Sequence, residues 1–180
     1  MSQNKALILD RDGVINHDYG YVSAPEQFHF IDGIFDLCQV ALARGYLIIV
    51  ITNQSGIARG YYSIEDFERL NEWMIAQFEI HSIPISHVHF CPHHPDSNLP
   101  EFAKSCDCRK PKAGLFHQAA TDYNLDLTQS IAVGDKVRDM VAAQTAGVGT
   151  RILLSSLPCD AAQYMVQSHT EIIDLLKGQE

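Results

Sequence analysis

The sequence predicts a doubly wound α/β fold, a parallel sheet flanked by helices. Two observations lead there. Short apolar runs of strand length alternate with segments of helical periodicity. Polar residues with chemical potential also follow directly after several of those runs, where such sheets place their ligands.

Taken in order, Ala6 to Leu9 reads as a buried strand, and Gly33 to Arg44 as a helix with Ile34, Leu37, Val40 and Ala41 on one face and Gly45 as its stop. Leu47 to Ile51 is rich in β-branched residues and reads as the second strand. Ser63 is the expected N-cap of a helix running to about Ile80, with Asp66 where a capping box prefers Glu or Gln. That helix turns Phe67, Leu70, Met74 and Phe78 inward. His87 to Phe90 is a third strand. Pro92 to Pro111 has no periodicity, and a loop that long in a compact domain is expected to be functional or braced. Lys112 to Tyr123 and Val137 to Ala146 read as helices, Ile131 to Val133 and Arg151 to Leu154 as strands, Tyr164 to Val166 as a short edge strand and Glu171 to Leu176 as a last helix.

With 180 residues and 46% hydrophobic content, the chain fits one domain, residues 1–180, with a sizeable core. A net charge of -9 disfavours a nucleic-acid partner, which calls for a basic face. An anionic ligand would need a local positive site. No apolar run approaches a membrane span, and Met1 to Leu9 does not read as a signal peptide, so no membrane association is expected. The expected setting is cytoplasmic, where cysteines stay reduced and are read for metal before disulfides. Nothing in the sequence demands an obligate interface, so a monomer is expected.

After the first strand come Asp10 and Asp12, two residues apart and so on one side of extended chain. Such carboxylates repel, and a cation stabilises both. Mg²⁺ suits oxygen ligands shared with a phosphate. Gly13 permits a sharp turn, although Asp-Gly is equally an ordinary turn pair. After the second strand, Thr52, Asn53, Gln54, Ser55 and Gly56 offer a hydroxyl and backbone N–H groups to phosphate oxygens, or simply form a turn. Arg109 and Lys110 precede a helix and could neutralise a transferring phosphoryl group and grip a second anion. Gly134, Asp135, Lys136 and Asp139 follow the next strand. Asp135 would complete the metal carboxylates and Asp139 orient a ligand, or Asp135 merely caps a helix.

Carboxylate pair, hydroxyl, lysine and Gly-Asp, in that order, resemble the haloacid dehalogenase superfamily over roughly residues 6 to 150. Val14 stands where many members have Thr. The resemblance implies a Rossmann-like fold, Asp10 as nucleophile and Asp12 as general acid and then base. It also implies Mg²⁺ on Asp10, the Asp12 backbone carbonyl and Asp135, with Thr52 and Lys110 stabilising the equatorial oxygens. For the acid role Asp12 must carry a proton in the complex. No insertion is large enough for a separate cap domain, so a minimal cap and an open site are expected.

Cys91-Pro92-His93 and Cys106-Asp107-Cys108 bring four ligands suited to Zn²⁺. Their spacing is tighter than in a typical zinc finger, His94 competes with His93, and a disulfide is the alternative. Cys38 and Cys159 stand alone. The loop 91–108, with Cys-Pro-His-His-Pro and Cys-x-Cys-Arg-Lys-Pro, resembles the D-glycero-D-manno-heptose 1,7-bisphosphate 7-phosphatase family, which is related to histidinol-phosphate phosphatases. Asp10 to Asn16, Gly20-Tyr21, Thr52 to Gly60 and Gly134 to Lys136 extend the match to nearly the whole chain. It implies structural Zn²⁺ on Cys91, His93, Cys106 and Cys108. It further implies a phosphorylated sugar substrate held by Asp18, Tyr19, Gly20, Tyr21, Asn53, Gln54, Ser55, Arg109 and Lys136, in the supply of ADP-heptose for the lipopolysaccharide core. The rival readings are histidinol-phosphate phosphatase and, in a different class, a non-catalytic zinc-binding interaction protein.

Overall fold

The computed structural model describes residues 3–178, so the outermost ends of the expected 1–180 domain lie outside it. Six strands form one sheet: β1 (Lys5–Leu9), β2 (Tyr46–Asn53), β3 (Ile85–Cys91), β4 (Ile131–Gly134), β5 (Thr150–Leu154) and β6 (Tyr164–Val166). Their order is β3-β2-β1-β4-β5-β6, and each neighbouring pair is parallel. Parallel neighbours need crossovers, and the helices supply them. These are α1 (Ile34–Ala43), α2 (Ser55–Ala58), α3 (Ile64–Ile80), α4 (Gly114–Tyr123), α5 (Val137–Ala146) and α6 (His169–Lys177).

The alternation of side chains along each strand splits the core in two. Leu7 and Leu9 of β1 join Ile48 and Val50 of β2 under α1, α3 and α6. Ala6 and Ile8 face the other way with Ile49 and Ile51, under α4 and α5. Both faces of the central strands are therefore buried, and they read as continuous apolar runs rather than alternating ones.

The chain winds outward from β1 to β2 and β3, then returns to lay β4 on the other side of β1. That reversal opens a crevice at the carboxyl ends of β1 and β4, the usual ligand position in such sheets. It sets residues 10, 52–54, 91 and 135 along one edge.

Expectation and structure differ in extent more than in kind. β2 continues past Ile51 because Thr52 and Asn53 pair with Phe90 and Cys91 of β3. α2, a single turn, is too short to show a periodicity in sequence. The Ser63 capping box forms as expected: its hydroxyl accepts from Asp66 N at 3.0 Å, and the Asp66 carboxylate accepts from Ser63 N at 2.9 Å. α4 begins at Gly114 rather than Lys112. A Cβ at Gly114 would lie 2.3 Å from the Asp107 carbonyl oxygen, so only glycine lets the backbone of the long loop pack there. Among the described residues, no helix is long and apolar enough to cross a membrane.

One buried base carries a pH signature. His89 of β3 is 3% exposed, with the ring of His87 at 4.4 Å and that of Tyr123 beyond. Burial, reinforced by His87, pulls its imidazole down to about 4. The unfolded chain takes up that proton near pH 6.5, so stability is full above that pH and is lost as pH falls toward 4. The melting temperature should drop across that window, and His89→Gln should make the drop shallower; an unchanged slope would count against the assignment.

Candidate active site

A cleft of about 470 Å³ opens at the carboxyl edge of the sheet. Asp10, the first residue after β1, is anchored by its N–H donating to the Val133 carbonyl at 3.0 Å. Its Oδ1 accepts from Arg11 N at 2.8 Å and lies 3.1 Å from Lys110 Nζ. Lys110 is 2% exposed, and its ammonium also reaches Asp139 Oδ1 at 2.7 Å and the Ile51 carbonyl at 2.8 Å. The ammonium thus donates a hydrogen bond to the Ile51 carbonyl and forms ion pairs with two carboxylates. Burial alone would lower the Lys110 ammonium, but Asp10 and Asp139 outweigh it and hold its proton more tightly than usual. Burial pushes the Asp10 carboxyl up to about 7 against the pull of Lys110, with Asp139, Asp135 and Asp12 adding repulsion.

Asp10, Asp135 and Asp139 each offer a carboxylate oxygen within 4.8 Å of the others. Burial raises the Asp135 carboxyl above its ordinary range, and its Oδ1 is buried without a hydrogen-bond partner among the described residues. Gly13 packs beneath it, where a Cβ would lie 2.3 Å from Asp135 Oδ2. An orphaned carboxylate oxygen beside a second carboxylate is what a hard divalent cation requires. Asp139 is already committed to Lys110 and to the Lys136 N–H at 3.0 Å, which marks it as support for the cluster.

The Asp12 carboxylate is not part of that trio, although it lines the same cleft. It accepts from Arg11 Nη2 at 2.9 Å, Asn16 Nδ2 at 3.0 Å and Gln54 Nε2 at 3.0 Å. Arg11, 1% exposed, also donates to the Val22 carbonyl and sits against Phe28 and Phe67. The sequence offered no signal for this burial.

Other expected ligand-binding residues divide. Asp18, Gly20, Tyr21, Asn53, Gln54, Ser55 and Arg109 line the cleft together with Thr52. Asn53 does so while clamping Lys110: its Oδ1 accepts from Lys110 N at 3.0 Å and its Nδ2 donates to Lys110 O at 3.1 Å. Tyr19 is 65% exposed, stacks on His17 and lies outside the lining. Lys136 also lies outside it, its ammonium 2.7 Å from Asp135 Oδ2. The cleft also gains Arg59, Tyr62 and Arg138, to which the sequence gave no individual role, and His94, which it offered only as a rival zinc ligand.

In the long loop, Cys108 Sγ lies 3.1 Å from both Cys91 and Cys106, and His93 Nδ1 lies 3.3 Å from Cys108 and 3.7 Å from Cys91. A disulfide needs sulfurs about 2.05 Å apart. Edges of a tetrahedron around Zn²⁺ are about 3.8 Å between sulfurs for Zn–S bonds of about 2.3 Å. The sulfurs, 3.1 to 3.5 Å apart, are too far from one another for a disulfide, and the four ligand atoms are gathered closely enough that they could hold one ion. His93 is the imidazole of this group; His94 turns its Nδ1 to the Asp96 N–H at 3.1 Å. Cys38 is core, and Cys159 is buried in a small satellite cluster.

Fold and site define the class: a HAD-like hydrolase, in accord with a match of residues 107–175 to the HAD-hydrolase-like family. A Burkholderia mallei protein named D-glycero-alpha-D-manno-heptose-1,7-bisphosphate 7-phosphatase is 47% identical, over 98% of this chain and 95% of its own. A beta-named counterpart from Haemophilus ducreyi is 47% identical over 83% of this chain and 82% of its own. The crystal structure of D,D-heptose 1,7-bisphosphate phosphatase from B. bronchiseptica, complexed with magnesium and phosphate, superposes with a TM-score of 0.83. It is 27% identical, over 98% of this chain and 99% of that one. The chain belongs to the D-glycero-D-manno-heptose 1,7-bisphosphate 7-phosphatase family.

Removing the buried cation tests the electrostatics. Lys110→Met leaves Asp10 and Asp139 uncompensated, and should cost about 3 kcal/mol in urea unfolding at pH 7 to 8. At pH 5 the loss should be smaller, because the raised Asp10 carboxyl then takes a proton.

Proposed function

We propose that the chain is a phosphatase that removes the 7-phosphate of D-glycero-D-manno-heptose 1,7-bisphosphate, supplying ADP-heptose for the lipopolysaccharide core. The observation that carries this reading is the meeting of Asp10, Lys110, Thr52 and Asp135 at one sheet edge, in a chain whose relatives bear that name.

In the proposed reaction Asp10 attacks phosphorus through Oδ2, since Oδ1 is held by Arg11 N and Lys110. The P–O bond to the sugar breaks, and the departing oxygen takes the proton from Asp12. Asp12 then accepts a proton from water, whose oxygen attacks the aspartyl-phosphate. The bond from phosphorus to Asp10 breaks, and inorganic phosphate leaves. Thr52, in the cleft lining, would donate to the equatorial oxygens, where charge accumulates in a loose transition state, and Lys110 would add positive charge beside Asp10. Asp10, Asp135 and the Asp12 backbone carbonyl would hold Mg²⁺, which neutralises phosphate charge when bound. Cys91, His93, Cys106 and Cys108 would hold Zn²⁺, bracing the loop that delivers Arg109 and Lys110.

A bisphosphate is favoured by the mouth of the cleft. Arg59, Arg109 and Arg138 all line it, and none is ion-paired with a carboxylate among the described residues. Arg59 Nε is buried without a partner. Burial, then the charges of Arg138 and Arg59, weakens the hold of the Arg109 guanidinium on its proton. In a chain of net charge -9, three uncompensated guanidiniums call for a second anionic group. They repel the ammonium of histidinol phosphate, which sets that rival lower.

Phosphate release from heptose 1,7-bisphosphate, in both anomers, should exceed that from histidinol phosphate in kcat/KM. It should require Mg²⁺ and disappear in Asp10→Asn, and the purified protein should carry one zinc per chain. Arg59→Ala and Arg138→Ala should each raise KM for the bisphosphate about tenfold, with little change for a monophosphate. Appreciable turnover by Asp10→Asn would sink the mechanism.

A further inference from the structure

We propose that Gln54 and Tyr62 form a positioning pair that sets the direction of the Asp12 carboxyl, and that this pair, rather than substrate contact, is the main role of both residues. The inference rests on the reading of Asp12 as proton donor to the leaving group.

Gln54 directly follows β2 and is 2% exposed. Its Nε2 donates to Asp12 Oδ2 at 3.0 Å and to Thr52 Oγ1 at 2.8 Å. Its Oε1 accepts from the Tyr62 hydroxyl at 2.6 Å. A single amide thus joins the proposed acid to the hydroxyl that faces the phosphate. The amide orientation follows from its partners. Reversed, it would set an oxygen lone pair against the Asp12 carboxylate, which offers acceptors only when ionised. Tyr62, donating from the other side, holds the amide against that reversal.

Tyr62 is built in for this contact. Its ring is buried with Ile57 and Phe67, and Gly56 makes room for it: a Cβ there would fall 2.1 Å from the ring. Burial pushes its phenol up to about 12, so the hydroxyl keeps its proton and remains a donor across the working pH range. Arg11 Nη2 donates to both Asp12 oxygens at 2.9 Å and Asn16 to Oδ1, but among the described residues only Gln54 ties the carboxylate to Thr52. Without the pair Asp12 keeps its charge partners and loses its registration with the phosphate. The departing oxygen should suffer most, because it needs a proton delivered in one direction.

Tyr62→Phe removes the hydroxyl and leaves the ring. It should lower kcat on heptose 1,7-bisphosphate about tenfold, with KM within about twofold. On p-nitrophenyl phosphate, whose leaving group departs without a proton, kcat should fall by less than about twofold. Gln54→Met keeps the side-chain length and should show the same split, and the double variant should be no worse than Gln54→Met alone. Equal losses on both substrates, an effect confined to KM, or additive single effects would overturn the pair. Wild-type protein inert toward both substrates would instead overturn the phosphatase reading itself.

Discussion

The site is organised around one buried cation. Lys110 lies almost wholly out of water and is the shared counter-charge of Asp10 and Asp139. Three carboxylates would not gather on one sheet edge without it, because burial and mutual repulsion both act against their ionised forms. Even with Lys110 present, Asp10 stays well above the ordinary carboxylate range. The remaining imbalance is what a divalent cation would relieve, so the strain in the protein and its proposed chemistry share one origin.

Delivering that lysine is the task of the least regular part of the chain. Lys110 belongs to no strand or helix, and it closes a loop without internal periodicity. Two restraints replace secondary structure. The cluster of Cys91, His93, Cys106 and Cys108 sets the start of the loop against its end, and Cys91 is itself the last residue of β3. Asn53, at the end of β2, grips the Lys110 backbone through both halves of its amide. The ion therefore inherits the rigidity of the sheet through neighbouring strand ends.

The same economy runs through the segment after β2. Thr52 faces the cleft, Asn53 turns to Lys110, and Gln54 turns to Asp12 and Tyr62. Three consecutive residues serve three different partners because the strand ends there and α2 begins one residue later. Read as a string, the segment suggests phosphate contact throughout. In the fold, two of its three side chains support other functional groups.

The sequence by itself determined the layers and the strand and helix order, and it supplied the candidate reacting groups. Apolar periodicity is a local property, and the spacing of Asp10 with Asp12 or of Cys106 with Cys108 survives in one dimension. Element ends were less legible, as with β2, because cross-strand pairing with β3 carries it past its apolar run. What only the tertiary structure decided are partnerships between distant side chains. Arg59 and Arg138 reach the cleft, Tyr19 and Lys136 leave its lining, and His93 rather than His94 joins the cysteines. No local pattern encodes those choices, because each depends on where the sheet sets a residue tens of positions away. Lys110 belongs to both accounts: its presence was legible in the chain, and its two carboxylate partners were chosen by the fold.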